Sequence, residues 1–498
     1  MASLRRYLWL LLSLLAPDAL AFDNSSLGAC QALSWIFPAQ VSFPNDQVYE
    51  TSIQSYAFIG TRLRPTCLVT PKSTNDVAIA IKVLSNFDSV AFAVRSGGHN
   101  TNKGFADVED GITIDLSAMN KLLLNPSSKT MSVGPGARWQ NVYDALDPYN
   151  ISVQGGRNGH VGVGGYLLGG GISFYSPQRG WACDSVINFE VVLSSGIIVN
   201  ANATSNTDLF TALKGGLNNF GIVTRFDLET FEQGPMWGGV IFYSNSSDEE
   251  LLDTLSTFKD PQRFDPHAML TFGFLYDTRM RSFSADIAMY HTRPGEVHGS
   301  VLESFATIQP QVLNTLRIGS PGSFAGEKLS PVVKSFYMHW ATTTFSASRT
   351  TLSRIHDAFK RTSLALTDSY AAANLTIACS IQSVPAAAPA SNPNILGYVP
   401  FSQPEKTLLN IGIAFQYEDP AATDGLQAAT EMFARELDEI ATADKSNDKH
   451  LYLNYAGSWQ DVFSGYGSTN LEIMRRVSKK YDRNAMFQRQ VRGGFKLY

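Results

Sequence analysis

From residue 65 to about 232, apolar and polar positions change period every few residues, and short apolar runs alternate with glycine-rich turns. Residues 77–84 repeat apolar side chains at helical spacing, and Ser73 followed by Asp76 resembles a capping box opening that helix. Residues 90–94 pattern as a buried strand that runs straight into Arg95-Ser96-Gly97-Gly98-His99. Residues 112–116 alternate as a strand, and 130–133 form another that stops at Gly134-Pro135-Gly136. A helix over 139–146 follows. Residues 186–193 and 197–200, joined through Ser194-Ser195-Gly196, predict a hairpin; 209–213 a short helix; and 222–231 a strand.

After Pro235 the texture changes. Longer aromatic-rich strands, such as 270–275 and 411–417, are interspersed with helices such as 426–437. Residues 384–400, rich in Pro, Ala and Ser, read as a loop. The last segment opens with a strand at 451–455 and closes with a helix over about 471–481. Neither an internal repeat nor a low-complexity tail interrupts this order.

Composition narrows the class. The 498 residues suffice for two or three domains, and 44% hydrophobic residues supply a large core. A net charge of -5 without a basic block argues against a nucleic-acid or membrane-surface partner. Arg5 and Arg6 precede an apolar run over 7–15, and Ala19-Leu20-Ala21 has the form of a cleavage site. That run falls short of the ~20 residues a span needs. Residues 1–21 therefore predict a signal peptide, with a secreted or cell-wall destination. Asn24, Asn150, Asn202, Asn245 and Asn374 each open an Asn-x-Ser/Thr sequon, so N-glycans are expected at some of them. Four cysteines are too few for a disulfide scaffold and too scattered for a metal site. A Cys30–Cys67 bridge would tie down the mature N-terminus; Cys183 and Cys379 either pair or stay buried as thiols.

Three glycine clusters carry the chemistry: Ser96-Gly97-Gly98; Gly162-Val163-Gly164-Gly165 with Gly169-Gly170-Gly171; and Gly215-Gly216 with Gly221. Glycine admits positive φ and close backbone approach, so successive N–H groups can ring a pyrophosphate. One cluster alone would be a turn. Three within a domain length point to an extended, phosphate-bearing cofactor. Leu167 stands where the third glycine of a Rossmann fingerprint belongs, and no P-loop, His-Glu-x-x-His or Gly-x-Ser-x-Gly occurs. A dinucleotide site of another type remains.

The run Val94-Arg95-Ser96-Gly97-Gly98-His99-Asn100 resembles the covalent-flavin loop of the vanillyl-alcohol oxidase/p-cresol methylhydroxylase (PCMH) superfamily, in particular the berberine-bridge-enzyme-like oxidases. Four further matches follow the family's order. Pro65-Thr66-Cys67-Leu68-Val69 with Pro71-Lys72-Ser73 resembles its domain entry. Val161-Gly162-Val163-Gly164-Gly165 with Gly169-Gly170-Gly171 resembles its second loop. Asn218-Asn219-Phe220-Gly221-Ile222-Val223-Thr224 resembles the strand beside the adenine. Tyr452-Leu453-Asn454-Tyr455, followed by a helix and Lys480-Tyr481-Asp482, resembles the segment that returns to the flavin.

The resemblance implies an α+β fold. A two-part PCMH-type FAD-binding domain, 22–235 (core about 61–232) completed by 441–498, would enclose a substrate domain at 236–440 built on an antiparallel sheet flanked by helices. It implies FAD bound through His99, a neutral imidazole being nucleophilic near physiological pH. Arg95, Ser96, Gly97, Gly98, Asn100, Gly134, Asn158, Val161, Gly162, Gly164, Gly165, Gly171, Gly221, Ile222, Val223 and Asn454 would contact the cofactor. Many members bear a second link from a cysteine three residues before the Val-Gly-Val-Gly-Gly valine; here that position is Asn158, so a single linkage is expected. This departure argues against an oligosaccharide oxidase, because doubly linked members have the more open sites. Val161 falls where a small residue leaves room for dioxygen. Tyr455 is the favoured catalytic base, with Tyr452 and His160 as alternatives. On a strand 452 and 454 would share one face and 455 the other, and a phenol of ordinary pKa ~10 needs help to act as a base. The activity so implied is oxidation of a small secondary metabolite, an alcohol, amine or activated C–H or N–H, with dioxygen reduced to peroxide. The rivals are an oligosaccharide oxidase, a flavin-bearing cyclase with no net oxidation, and a wall protein with a vestigial site.

Overall fold

The computed structural model describes residues 25–258, 263–327, 336–346, 348–386, 388–397 and 408–498. The leader over 1–21 and the Asn24 sequon lie outside the described residues. No helix among the described residues is long and apolar enough to cross a membrane.

The first part of the chain builds two sheets. In one, Cys67–Val69 and Phe92–Arg95 lie parallel on either side of Ile112–Asp115, with Val41–Ser42 added antiparallel at the edge. Helix Thr74–Leu84 packs Val77, Ala80, Ile81 and Leu84 into the core beside it. Half of the expected capping box forms: Ser73 Oγ accepts from the Asp76 N–H at 3.2 Å, but the Asp76 carboxylate accepts from the Lys72 N–H at 2.9 Å, one residue before the cap. Helix Ser26–Ile36 is joined to this sheet by the Cys30–Cys67 disulfide. Closing a separation of 37 residues stabilises by about 3–4 kcal/mol in the chain-entropy account. Cys183 and Cys379 are buried free thiols.

The second sheet is antiparallel, in the order Leu122–Asn125, Thr130–Val133, Ile222–Glu229, Val186–Val192, Ile198–Asn202. Its central strand begins at the seam. Ile222 packs into the core of the first sheet while Val223 packs into that of the second. The expected strand over 222–231 breaks at Thr230, and Phe231–Glu232 pairs instead with Ile151–Ser152.

Between Met236 and Asp448 runs a nine-stranded antiparallel sheet. Its path is Gln311–Asn314, Met236–Ser244, Ser282–His291, Ala268–Asp277, Thr376–Ser383, Leu408–Tyr417, Tyr337–Ser346, Asn447–Asp448, with Arg317–Gly319 also pairing to Met236–Ser244. Strands alternate faces, and one face is plainly apolar. Ile287 and Met289, Phe272 and Phe274, Ile377 and Ile381, and Ile411 and Ile413 pack on it against helices Asp248–Phe258, Arg349–Ser369 and Thr423–Ala443. The other face turns toward the first part of the chain. Met236, Met269, Tyr290, Val384 and Leu408 join that part's core.

The chain then returns. Phe487 and Val491 enter the core of the first sheet, and Gln490 Nε2 donates to the carbonyls of Phe87 and Val90 at 2.8 and 3.0 Å. The expected strand over 451–455 is absent. Leu453–Tyr455 is a 3₁₀ turn, closed by the Tyr455 N–H on the Tyr452 carbonyl at 2.9 Å. Among the described residues no strand pairs with this segment, and its backbone bonds locally.

Candidate active site

Two of the three glycine clusters, at 97 and 162, meet edge to edge, and the Gly134-Pro135-Gly136 turn joins them. A methyl group built on Gly97 would fall 2.5 Å from the backbone of Gly162, and one built on Gly162 would fall 2.4 Å from the Gly97 nitrogen. The two loops therefore touch through backbone alone, which only glycine permits. Ser96 ties in the turn: its Oγ donates to the Pro135 carbonyl at 2.6 Å and accepts from the Gly164 N–H at 3.2 Å. A methyl group on Gly134 would meet the Met119 carbonyl at 2.1 Å. Gly98 adopts φ +63°. Among the described residues no acceptor meets the N–H groups of Gly97, Gly98 and His99, which leaves three successive donors for an anionic ligand. Gly165 has open space where a side chain would stand.

Arg95 points its charge into the protein. Nη1 donates to the Ser52 carbonyl at 2.8 Å and to Asp115 at 3.3 Å, Nη2 donates to Ser55 Oγ, and the guanidinium lies 4.0 Å from the centre of the Tyr56 ring. This buried pair braces the strand ends that hold the 96–99 loop. Arg138, which the sequence reading did not single out, bridges two of the loops. Nη2 donates to the Gly97 carbonyl at 2.9 Å and Nη1 to the His160 carbonyl.

His99 stands edge-on to Phe58 with ring centres 5.5 Å apart. Burial first, and then repulsion from the Arg138 charge, hold its imidazole down to about 4, so the ring is neutral at ordinary pH. The next residues lead across to the returning segment. Asn100 Oδ1 accepts from the Asn102 N–H at 2.7 Å, while Asn102 Nδ2 donates to the Ala456 carbonyl at 2.9 Å and its Oδ1 accepts from the Ser458 N–H at 3.0 Å. His99 and Tyr455 thus sit on two stretches of chain laced together. Asn158 Oδ1 accepts from the His160 N–H at 2.9 Å, the His160 side chain is exposed, and Val161 is half-buried.

The 3₁₀ turn sets Tyr452 and Tyr455 on one side, their rings 4.9 Å apart, rather than on opposite faces as a strand would. Tyr452 is fully buried against Trp181, and burial pushes its phenol up, with the neighbouring Tyr455 adding to the shift. Tyr455 is half-buried and reaches the large sheet: its ring lies edge-on to Trp340 at 4.4 Å and over Gly412, whose added methyl would meet it at 2.9 Å. Asn454 Nδ2 donates to the Tyr166 carbonyl and to Tyr452 Oη, each at 3.1 Å, and its Oδ1 would lie 2.1 Å from a methyl on Gly169. Gly171 takes φ +81° beneath Tyr166. Gly221 opens the central strand of the second sheet, where a methyl would meet Val191 at 2.7 Å. Arg157, also missed, spans the two parts of the molecule, donating to Thr271 and, at 2.5 Å, to Gln382 on the sheet. Its place directly after Gly155-Gly156 was the available signal.

A dinucleotide flavin fits these residues: consecutive free N–H groups, loops without side chains at their contact, and a neutral histidine at the loop end. Together with the sheet that faces them, they define an FAD-binding oxidoreductase of PCMH type. Comparison with known proteins agrees. A family model for the FAD binding domain matches residues 65–202. The FAD-dependent monooxygenase sdcF of Emericella nidulans is 35% identical over 474 residues, which cover 94% of this chain and 98% of the relative. The FAD-dependent monooxygenase drtC of Aspergillus calidoustus is 36% identical over 461 residues, covering 91% of this chain and 86% of the relative. Among solved structures, 6-hydroxy-D-nicotine oxidase from Arthrobacter nicotinovorans superposes with a TM-score of 0.76 at 18% identity, over 90% of this chain and 96% of that one. Xylooligosaccharide oxidase from Myceliophthora thermophila gives 0.74 at 20%, over 94% and 99%. The chain belongs to the berberine-bridge-enzyme-like FAD-dependent oxidoreductases.

Proposed function

We propose that this protein is a secreted oxidase of a small secondary metabolite, bearing FAD through a single covalent bond to His99. The carrying observation is the neutral His99 imidazole at the end of a loop whose backbone packs on the second glycine loop. The 158 position, an asparagine, offers no sulfur for a second bond. FAD, when bound, supplies a hydride acceptor that dioxygen reoxidises. The chain's residues do the rest. The N–H groups of 97–99 would hold the pyrophosphate, and Asn454 fixes the returning turn to Tyr166. Tyr455 takes the substrate proton, since its ring reaches the sheet whereas Tyr452 is enclosed and held protonated. Val161, half-buried where the resemblance places a small residue, would leave room for dioxygen. N-glycans belong on Asn150 and Asn245, which are exposed; the amides of Asn202 and Asn374 are spent on Asn188 and Glu418.

One observation favours a second reading. Both curated relatives described above are named monooxygenases, which would place an oxygen atom in the product. Turnover under ¹⁸O₂ separates the two: label appears in peroxide for an oxidase and in the organic product for a monooxygenase. Acid denaturation and weighing of the His99 peptide tests the linkage. A mass increase matching FAD is expected, and an unmodified peptide overturns covalent attachment.

A further inference from the structure

Two groups stand over glycines in one cross-strand row of the large sheet. The row runs Asp286, Gly273, Ser380, Gly412, Thr342 through four successive pairings. Tyr455 lies over Gly412. At the other end, a methyl built on Gly273 would fall 2.1 Å from Asp286 Oδ1, so the carboxyl leans across onto Gly273. Its face is fixed by alternation. Ala285, Ile287 and Met289 point to the helices, whereas Ala288 and Tyr290 pack toward the flavin domain, and Asp286 shares their side.

Among the described residues the Asp286 carboxyl has no hydrogen-bond donor and no ion pair. Asp286 is half-buried, and loss of solvation is the one cause that moves it, up to about 7. The charged and titratable groups facing it are few. Tyr290 is on its own strand. Arg157 arrives from the loop above but is bonded to Thr271 and Gln382, one row away. The Arg317–Glu327 pair lies beyond Tyr290. A half-buried carboxyl with no protein donor beside it, on the sheet face turned toward the flavin domain, is placed for a ligand donor to complete.

We infer that Asp286 is a substrate-binding residue whose carboxylate accepts a hydrogen bond from a hydroxyl or ammonium donor of the substrate, at the end of the site opposite Tyr455. This rests on the oxidoreductase reading and deepens it. Gly273 and Gly412 are two strand spacings apart, roughly 10 Å, and only Ser380 lies between them. The substrate is therefore an elongated molecule, of two or three fused rings in length, with a donor group remote from the bond that is oxidised.

The test uses flavin-loaded wild type and Asp286→Asn, titrated with phenol (a neutral donor), benzamidine (a charged donor) and benzoate, and read by perturbation of the flavin spectrum. At pH 8 at least one donor is expected to bind the wild type and to bind Asp286→Asn about tenfold more weakly, with benzoate not weakened. Which donor responds identifies a hydroxyl or a cationic nitrogen. Donor binding in the wild type should strengthen as pH rises through about 7 and be flat in Asp286→Asn. Thermal unfolding guards against a structural role: the variant should melt no lower than wild type above pH 7. Gly273→Ala, which displaces the carboxyl without removing it, should also weaken the donor. Equal donor binding in wild type and Asp286→Asn, no donor binding to either, or a lowered melting temperature of the variant would each overturn the assignment. A colourless protein would instead overturn the flavin reading, so the two failures are distinct.

Discussion

Arg138→Met removes the side chain that clamps the 96–99 loop to the 160–165 loop, and its effect can be worked out from the contacts. Two hydrogen bonds from a charged donor, to the carbonyls of Gly97 and His160, are each worth about 1.5–3 kcal/mol. Because the freed carbonyls regain water at this half-buried position, the lower end applies, a loss of about 3 kcal/mol in total. For a domain of this size that is a fall of about 6 °C in melting temperature. The variant also alters His99. Burial is the larger cause of its low pKa and remains, whereas the repulsion from Arg138, the second cause, disappears. The imidazole pKa should therefore rise from about 4 without reaching the ordinary ~6.5. Only the neutral ring can attack the cofactor, and the neutral fraction falls as pH drops through the pKa. Wild-type apoprotein, prepared under riboflavin limitation and mixed with FAD, should show a flavin-attachment rate that declines near pH 4. Arg138→Met should decline at a higher pH and lag severalfold at pH 5. Acid-stable flavin absorbance followed over time is the assay. An attachment profile that superimposes on wild type, or shifts to lower pH, would refute the reasoning about His99. An unchanged melting temperature would refute the clamp.

Two other substitutions probe the same architecture. Gly97→Ala places a methyl 2.5 Å from the Gly162 backbone, an overpacking that costs at least ~1–3 kcal/mol; flavin incorporation measured by the 450 nm absorbance ratio should collapse, whereas Gly165→Ala, with open space around it, should fold normally. Tyr455→Phe keeps the ring against Trp340 and Gly412, so melting should stay within ~1 °C while kcat falls by roughly 10²–10⁴; anaerobic flavin reduction in a stopped-flow instrument separates this from a binding defect.

What the sequence disclosed followed the range over which each signal acts. Helix Thr74–Leu84 was legible because its cap and apolar stripe lie within a dozen residues. Strands Ala268–Asp277 and Leu408–Tyr417 were legible in their centres because aromatic and β-branched residues crowd there, but their ends depend on partners far away in the chain. Residues 451–455 misled for a simple reason: Leu-Tyr-Leu-Asn-Tyr has the composition of a strand, yet no strand among the described residues pairs with it and it closes as a 3₁₀ turn. The glycine loops announced a cofactor, but not that Gly97 and Gly162 touch. Arg95 appeared to be a ligand by position, yet its partners Ser52 and Ser55 lie 40 residues upstream in a segment without a motif. Arg138 and Arg157 act on carbonyls and neutral side chains, which no residue pattern marks.

The geometry also separates what holds the cofactor from what selects the substrate. The loops meet through backbone, with less than 3 Å available for any added atom at Gly97, Gly134 or Gly162. Change there is punished by packing before chemistry is reached. The sheet face is built differently. Gly273, Ser380 and Gly412 form a row of small residues on long strands whose opposite face is locked against helices. A side chain altered on the open face leaves that core intact. The two groups over this row also differ in their supports. Tyr455 rests on Trp340 and on the turn fixed by Asn454, whereas the Asp286 carboxyl leans over Gly273 and has no hydrogen-bond donor among the described residues. Moving Asp286 along its strand or exchanging its charge should therefore change which molecules enter while leaving flavin binding and the proton acceptor in place. Altering Tyr455 or His99 should stop the reaction for every substrate alike.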